Sequence, residues 1–479
     1  MLLSVTSCNR FRRDVARLCH RRLAAIGCLL PLFAAVILHG QAQNNSAATD
    51  TTGAGKPVVI TLDDAIRLAQ VSEPAYVAAA AASRTAGLDK SIALAGLLPN
   101  VSYYNQGLYT EPNGAHGQVG QISDTADLPK FIANNGVREY FSQAIVNETL
   151  GLGPVAAMRR ADAVAAMASA EQEIARRGLV AAVTTLFYSS LAADHKLAVA
   201  EQARQESADF TKLTTEREQA RESAHADVVK AQLLEQQRDR DFADARVAAG
   251  KARLELGVLL FADPRTTYTL SAAETAPPLA SKEDVEQAAG RNNPELKSAL
   301  AALAASNADV QAAWGALLPN VGLNMTYGID APQFAANGPS NPNGDGIKTR
   351  NLGYSASVTV NIPVWDWLAS EHKVKQSEIR RDAAQVALSA TQRRLIAQLE
   401  EAYDEAQAAR DQLASLDESV ATAAESLRLT KLRYTGGEAT VLEVVDAQNA
   451  YVTAENARAD GRVRYEAARA ALQTITGTM

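Results

Sequence analysis

Leu97-Leu98-Pro99-Asn100-Val101 returns as Leu317-Leu318-Pro319-Asn320-Val321, 220 residues further along a chain of 479. Five identities in a row at one offset are hard to obtain by chance, and other positions keep step: Pro74 with Pro294, and Asp64 with Asp284. Later, Asp227-Val228-Val229-Lys230-Ala231-Gln232 answers to Glu443-Val444-Val445-Asp446-Ala447-Gln448 at an offset of 216. Self-similarity at a fixed spacing marks a duplicated unit. The chain therefore divides into tandem halves, about 59–270 and 271–479, with a joint near Ala276-Pro277-Pro278.

Both halves read in the same order. A helix (Leu62–Leu97, Lys282–Leu317) is ended by Pro99 or Pro319, since proline cannot continue the backbone ladder. A strand follows: Val321, Leu323, Met325, Tyr327 and Ile329 alternate with polar or small residues, the period-two pattern of a half-buried strand. Turn formers come next, Gly338–Asp345 in the second half and Pro112-Asn113-Gly114 in the first. A returning strand, Leu352–Ile362, alternates again; its first-half counterparts, Asn100–Tyr109 and about Tyr140–Leu150, alternate less cleanly. Then comes a very long helix, about Pro154–Arg221 and Ala369–Tyr434, on the order of 100 Å at 1.5 Å per residue. After a break, a helix of half that length closes each half (about Ala226–Phe261 and Val441–Ile475). The short helices before the strands and after the break sum to one long helix, so they are expected to lie end to end beside it. The fold class is mainly α with a small β part, two long helical hairpins carrying four strands.

Composition agrees with thin helices: 47% of residues are apolar but only 5% aromatic. Six arginines and one aspartate give residues 1–42 a charge of +5, so the remainder is −12 against −7 overall, no footprint for nucleic acid. Those arginines precede the apolar run Leu23–Leu38, and Gly40-Gln41-Ala42 supplies small residues for cleavage, so 1–42 reads as a signal peptide and 43–58 as a linker. A membrane anchor and a lipidated Cys28 are the competing readings of this segment. All three cysteines fall before residue 29, which removes disulfides, thiol catalysis and Cys-bound zinc from the rest.

Strands of about ten residues cross a bilayer when tilted, and a one-sided soluble sheet gives the same pattern. Four strands leave two exposed edges, which lipid does not tolerate, and no sequence remains for a partner domain. Closure then needs several copies, each donating four strands, with Asn, Ser, Thr and Gly facing water and the apolar faces lipid. Trp365 and Trp367 fall just past the last strand, where an interfacial belt would be; packing beneath a soluble sheet is the alternative.

The duplicated helix–LLPN–strand–loop–strand–helix order, with Arg433-Tyr434-Thr435-Gly436-Gly437 followed by Val441–Gln448, resembles the TolC family of outer-membrane efflux proteins over essentially the whole chain after the signal. The resemblance implies a homotrimer whose twelve strands form one barrel in outer-membrane lipid and whose helices form one tunnel through the periplasm. It also implies an inner-membrane pump and a periplasmic adaptor as partners, and no nucleic acid. Glu443 and Asp446 fall at the family's gate acids; three residues apart, they share a helix face. In a trimer they would make stacked acidic rings that attract cations; a solvated helix face is the alternative. Asp227 is the first-half counterpart of Glu443, with Lys230 opposite Asp446. Tyr434 matches a latch tyrosine, whereas the latch arginine falls at Ala439, so another contact must hold the tunnel shut. Gly436 and Gly437 match the tip that docks the adaptor and are expected to supply a positive-φ turn; Ala220-Arg221 in the first half predicts a turn built differently.

No HExxH, GxSxG, P-loop or GxGxxG occurs, and His116, His195, His225 and His372 lack ligand spacing, so neither catalysis, cofactor nor metal is expected. A passive exit duct for efflux or secretion is the function implied. The alternatives are a periplasmic helical rod without a pore and a soluble adaptor, which would carry one hairpin and not two. Nothing in the sequence selects drug, metal or protein as cargo.

Overall fold

The computed structural model describes residues 58–109, 138–271, 279–331, 333–340 and 348–477, all within the compact unit Pro57–Met479. The signal peptide with Cys28, the linker up to residue 57, the turn at 112–114 and the joint at 276–278 lie outside the described residues, as does 341–345 of the second loop.

The first half runs β1 (Val58–Ile60), α1 (Leu62–Ser72), α2 (Pro74–Ala95), β2 (Asn100–Tyr109), β3 (Arg138–Leu150), α3 (Leu152–Gln219), α4 (His225–Leu260) and β4 (Tyr268–Leu270). The second runs α5 (Lys282–Asn292), α6 (Pro294–Gly315), β5 (Asn320–Ala331), β6 (Asn337–Ser340), β7 (Lys348–Arg350), β8 (Leu352–Asn361), α7 (Ala369–Thr435) and α8 (Val441–Thr476). The helix expected over Leu62–Leu97 is two helices, and so is Lys282–Leu317. Pro74 and Pro294 push the residue before them out of the helical region, leaving Glu73 (φ −78°, ψ 114°) and Asn293 (φ −62°, ψ 122°) extended. Each break doubles as a cap: the Asn293 side chain accepts from the Leu296 amide at 2.8 Å. The second loop also departs from expectation, because β6 and β7 pair antiparallel inside it.

Helices α3 and α7 have 68 and 67 residues, α4 and α8 each 36. The expected end-to-end stacking is present. Lys90–Asp162 ties α2 to the start of α3, and Arg253–Asp194 and Arg204–Asp239 tie α4 to its lower part. In the second half α6 and α8 both pack on α7, the latter through Arg464–Glu405 and Arg458–Asp417. The halves meet along α3, which also packs against α6 and α8.

A core not foreseen from sequence sits where α1 bridges the end-to-end helices. Val183 and Phe187 of α3, Leu256 and Leu260 of α4, and Ala65 and Ala69 of α1 close on Ile60 and Tyr268 of a parallel β1–β4 pair. Nearby, Arg177 is 6% exposed and caps two helix ends of the other half: it donates to the Thr474 carbonyl of α8 at 2.9 Å and the Asn292 carbonyl of α5 at 3.1 Å. Gly477 (φ 75°) leaves room for this guanidinium, since a Cβ there would lie 2.5 Å from it.

The four long strands form one antiparallel sheet, β2-β3-β5-β8, with β2 and β8 as free edges. Register puts Val321, Leu323, Met325 and Tyr327 beside Val360, Val358, Ala356 and Tyr354 on one face. The opposite face carries an amide row in which Asn147 stands between Asn100 and Asn324 and accepts from the latter at 2.5 Å. The first half mixes its faces. Ser142 lies on the apolar side, 2.8 Å from the Tyr103 hydroxyl, and donates to the Asn105 oxygen at 2.8 Å, while Phe141 and Ile145 lie on the polar side. Among the described residues no helix is long and apolar enough to cross a membrane.

Candidate functional site at the hairpin turns

Each hairpin turns between its long helix and its half-length helix. Ala220 and Gly436 end the long helices in right-handed conformation, and Arg221 (φ 64°) and Gly437 (φ 79°) follow in the left-handed region. The closing bonds correspond. The Glu222 amide donates to the Arg217 carbonyl at 2.8 Å and the Glu438 amide to the Arg433 carbonyl at 2.9 Å. Both turns are thus the same left-handed cap with a six-residue closing bond. The first-half turn is not built differently, as Ala220-Arg221 suggested, and of the glycine pair only Gly437 supplies positive φ.

The helices that follow start differently. Thr440 caps α8: its hydroxyl accepts from the Glu443 amide at 3.3 Å, and the Glu443 carboxylate accepts from the Thr440 amide at 3.1 Å, a reciprocal capping box. Ala224, its counterpart on α4, offers no side-chain cap.

Glu443 is therefore engaged within its own turn, and Arg433 adds an ion pair at 3.3 Å. The Thr440 amide, then its hydroxyl and then Arg433 hold this carboxyl below the usual range. Asp446, one turn on, is exposed and has no partner among the described residues. Asp227 is half-buried, accepts from Ser223 at 3.4 Å and lies 3.9 Å from Lys230.

Tyr434 is 5% exposed, packed with Phe210, Ala231, Val441 and Val444, with half-buried Ala439 at the margin. Its ring lies 5.2 Å from that of Phe210, and its hydroxyl 3.4 Å from the Thr214 hydroxyl. The Arg217 guanidinium stacks on this ring at 4.7 Å and donates to the Tyr434 and Thr435 carbonyls, each at 2.8 Å. A cation from the first hairpin thus closes the C-terminus of α7, where the helix dipole favours positive charge. Tyr434 and Arg217 are brought together; Glu443, Asp446 and Asp227 join neither. Sequence reasoning missed Arg217, although the 216-residue offset pairs it with Arg433.

Above this contact the seam between the hairpins turns polar. Lys431 pairs with Glu206, and Arg238, 5% exposed, reaches Asn449 at 2.5 Å. Gln448 is 5% exposed, and its amide nitrogen has no partner beside a small cavity that Glu206, Arg238 and Tyr451 also line. Such a cavity suits one water bridging polar groups. Among the described residues no group of three His, Cys, Asp or Glu side chains converges to hold a metal ion.

Residues 285–478 match the family described as outer membrane efflux protein, a stretch that includes the whole second hairpin. Protein CyaE of Bordetella pertussis is 26% identical over 234 residues, 48% of each chain, so the alignment spans about half the length of that relative. Solved structures extend the likeness in fold. The CmeC outer membrane channel of Campylobacter jejuni superposes with a TM-score of 0.69 at 14% identity, over 87% of this chain and 85% of that one. The open-state MtrE outer membrane channel of Neisseria gonorrhoeae gives 0.68 at 17% identity, over 87% and 88%. VceC of Vibrio cholerae gives 0.68 at 16%, over 87% and 96%. Residues 285–478 therefore carry an outer membrane efflux protein domain, and both halves share the fold of the outer membrane channels.

Proposed function

We propose that this chain is a passive exit duct of the cell outer membrane, reaching into the periplasm and serving a tripartite efflux or type I secretion system. One observation carries the reading. A four-stranded sheet with an apolar face and two unpaired edges, β2 and β8, stands on two helical hairpins. Unpaired edges in lipid are unstable unless closed, and three copies would close twelve strands into one barrel, with the amide and hydroxyl face around a watery lumen. The homotrimer, the periplasmic adaptor and the inner-membrane pump are parts of this reading, and transport energy would come from the pump, the duct itself catalysing nothing.

In it the hairpin turns form the periplasmic gate and the adaptor's docking site, with Gly436 and Gly437 at the tip. Asp446 supplies most of the ring charge, because Glu443 is already compensated by Arg433 and its capping box. Asp227 contributes less beside Lys230. Arg217 on Tyr434 takes the place of a latch arginine at Ala439, bracing the second hairpin against the first.

The test is the native mass of the full chain extracted from purified outer membranes, followed by single-channel recording. A detergent-requiring trimer that conducts supports the duct; a water-soluble monomer or dimer overturns it in favour of a helical rod. Asp446→Asn should weaken cation selectivity more than Glu443→Gln, which keeps the capping box. Unchanged selectivity in the double variant would remove the acidic rings.

A further inference from the structure

Arg177 reaches the second half from a definite face of α3. Ala170 and Ala163 stand seven and fourteen residues before it and Val180 three after it, so the four share one side of the helix, and all are buried. At the 216-residue offset their counterparts on α7 are Arg393, Val386, Ile379 and Ile396, and every one is exposed. Elsewhere the two helices agree: Leu179 and Val183 are buried, and so are their counterparts Leu395 and Leu399. The long helices therefore differ on one face, the face that α3 turns to the other half.

The receiving surface shows the same contrast. Ala308 of α6 and Ala470 of α8, the latter one turn before Thr474, are each 2% exposed, whereas their first-half counterparts, Leu88 of α2 and Leu254 of α4, are 65% and 47% exposed. Gly315, seven residues after Ala308, faces α3 so closely that a Cβ there would lie 3.0 Å from the Leu152 Cβ. The helices form a row α2-α3-α6-α7 beneath β2-β3-β5-β8, and the two bare faces belong to its opposite ends.

Charge is matched across those ends. Glu173 steadies Arg177 within its own helix at 2.7 Å. Arg393 has Ser389 in that place and no partner among the described residues. The carboxylate absent from α7 appears on the other side: Glu73, directly after the last residue of α1, stands where Asn293 follows α5.

We propose that α7 of one chain seats on α2 and α4 of a second copy as α3 seats on α6 and α8 of its own, with Arg393 closing two helix ends of that copy. Those ends are the Ser72 and Val258 carbonyls, counterparts of the Asn292 and Thr474 carbonyls that Arg177 holds. The helix dipoles favour a cation there, and the adjacent Glu73 carboxylate compensates a charge that the seam covers. The occupant is a second copy because the bare face matches a surface this chain already covers with its own repeat. Isoleucine and valine in place of alanine set these helices further apart than α3 and α6. Phe261 stands where Gly477 makes room, and its ring packs away on Tyr268 at 5.6 Å. The inference rests on the duct reading.

The strands fix the register. Asn147 and Asn361 face Asn100 and Asn320, the first residues of their hairpins, and Asn147 also faces Asn324, the counterpart of Tyr104. Asn361 then faces Tyr104 of the second copy, and Val358 faces Gly107.

The full chain has no cysteine after residue 28, so Gly107→Cys with Val358→Cys in isolated outer membranes reports the seam on oxidation. Within one chain β2 and β8 lie three strand spacings apart, about 14 Å, too far for a disulfide. A Cβ at Gly107 meets only the Tyr140 ring, at 3.8 Å. Covalent trimer is expected, at least about fivefold more than from Gly107→Cys with Val360→Cys, which is two residues out of register. A native trimer that links through the second pair as well as the first, or through neither, overturns the seam and leaves the duct standing. Absence of a native trimer, in the unsubstituted chain too, overturns the duct and the seam with it. Arg393→Gln and Glu73→Gln should each lower the temperature at which the trimer dissociates by several degrees, and together no further than the larger single effect. An unchanged temperature for Arg393→Gln, or strictly additive losses, removes Arg393 from the seam.

Discussion

The two hairpin turns share one backbone and differ in what holds it. At the second, glycine occupies the left-handed position, Thr440 and Glu443 cap the next helix, and Arg217 of the first hairpin grips the end of the long one. At the first, Arg221 takes the left-handed position against its preference and Ala224 leaves α4 uncapped. The difference amounts to on the order of 2 kcal/mol in local terms. It shows that a duplicated motif keeps its geometry longer than its chemistry, and that the weaker turn donates the residue that braces the stronger one.

Four tests probe this asymmetry. The largest effect belongs to Tyr434→Ala, which empties a buried aromatic site and should destabilise the tip by about 3–5 kcal/mol, whereas Glu218→Ala at the equivalent place should stay within about 0.5. Amide hydrogen exchange across 427–445 and 211–229 reads both; equal protection loss would show that the ring is not what joins the hairpins. Arg217→Ala comes next, removing two charge-assisted bonds and a stacked cation for about 1.5–3 kcal/mol. Arg433→Ala, its counterpart in an exposed pair, should cost below about 1, and protease nicking rates at the two turns would separate them. Third, Arg221→Gly should stabilise the first turn by about 1 kcal/mol while Gly437→Ala destabilises the second by a similar amount. Smallest is Ala224→Thr, which puts a hydroxyl three residues before Asp227, completes a capping box and adds about 0.5–1 kcal/mol; unchanged exchange at the first turn of α4 would refute it.

Acid offers a different handle on the region where the halves meet. The Arg176 guanidinium, with help from Arg177, holds the Glu173 carboxyl down to about 2 despite partial burial. A depressed carboxylate contributes stability that is whole above its unfolded value and vanishes as pH falls through the folded one. The contact around Arg177 should therefore loosen as pH drops from about 4.5 toward 2, a transition that Glu173→Gln removes.

Element order, strand bounds and end-to-end stacking were legible because each rests on local signals: proline stops, period-two alternation and helix lengths. Asn100–Tyr109 came out residue for residue on the repeat that pairs it with the strand after Pro319, since its own alternation is weak. Pro74 and Pro294 entered only as positions that keep the repeat's offset, although the residue before a proline resists helical backbone and so marks a break. The β1–β4 pair stayed hidden, since three-residue strands carry no period and their partners stand over 200 residues apart. At the turns the positions were legible and the partners were not. Glu443 looked like a free acid until its cap was seen, and Arg217 has meaning only beside a residue 217 positions away.

Arg177 has one more consequence. Its guanidinium, carried by the long helix of the first half, supplies the positive end that two helices of the second half require. Its counterpart at the 216-residue offset, Arg393 on α7, is also arginine, but it is exposed and holds no helix end among the described residues. Both halves have kept the cation, one turned into the chain and the other facing outward.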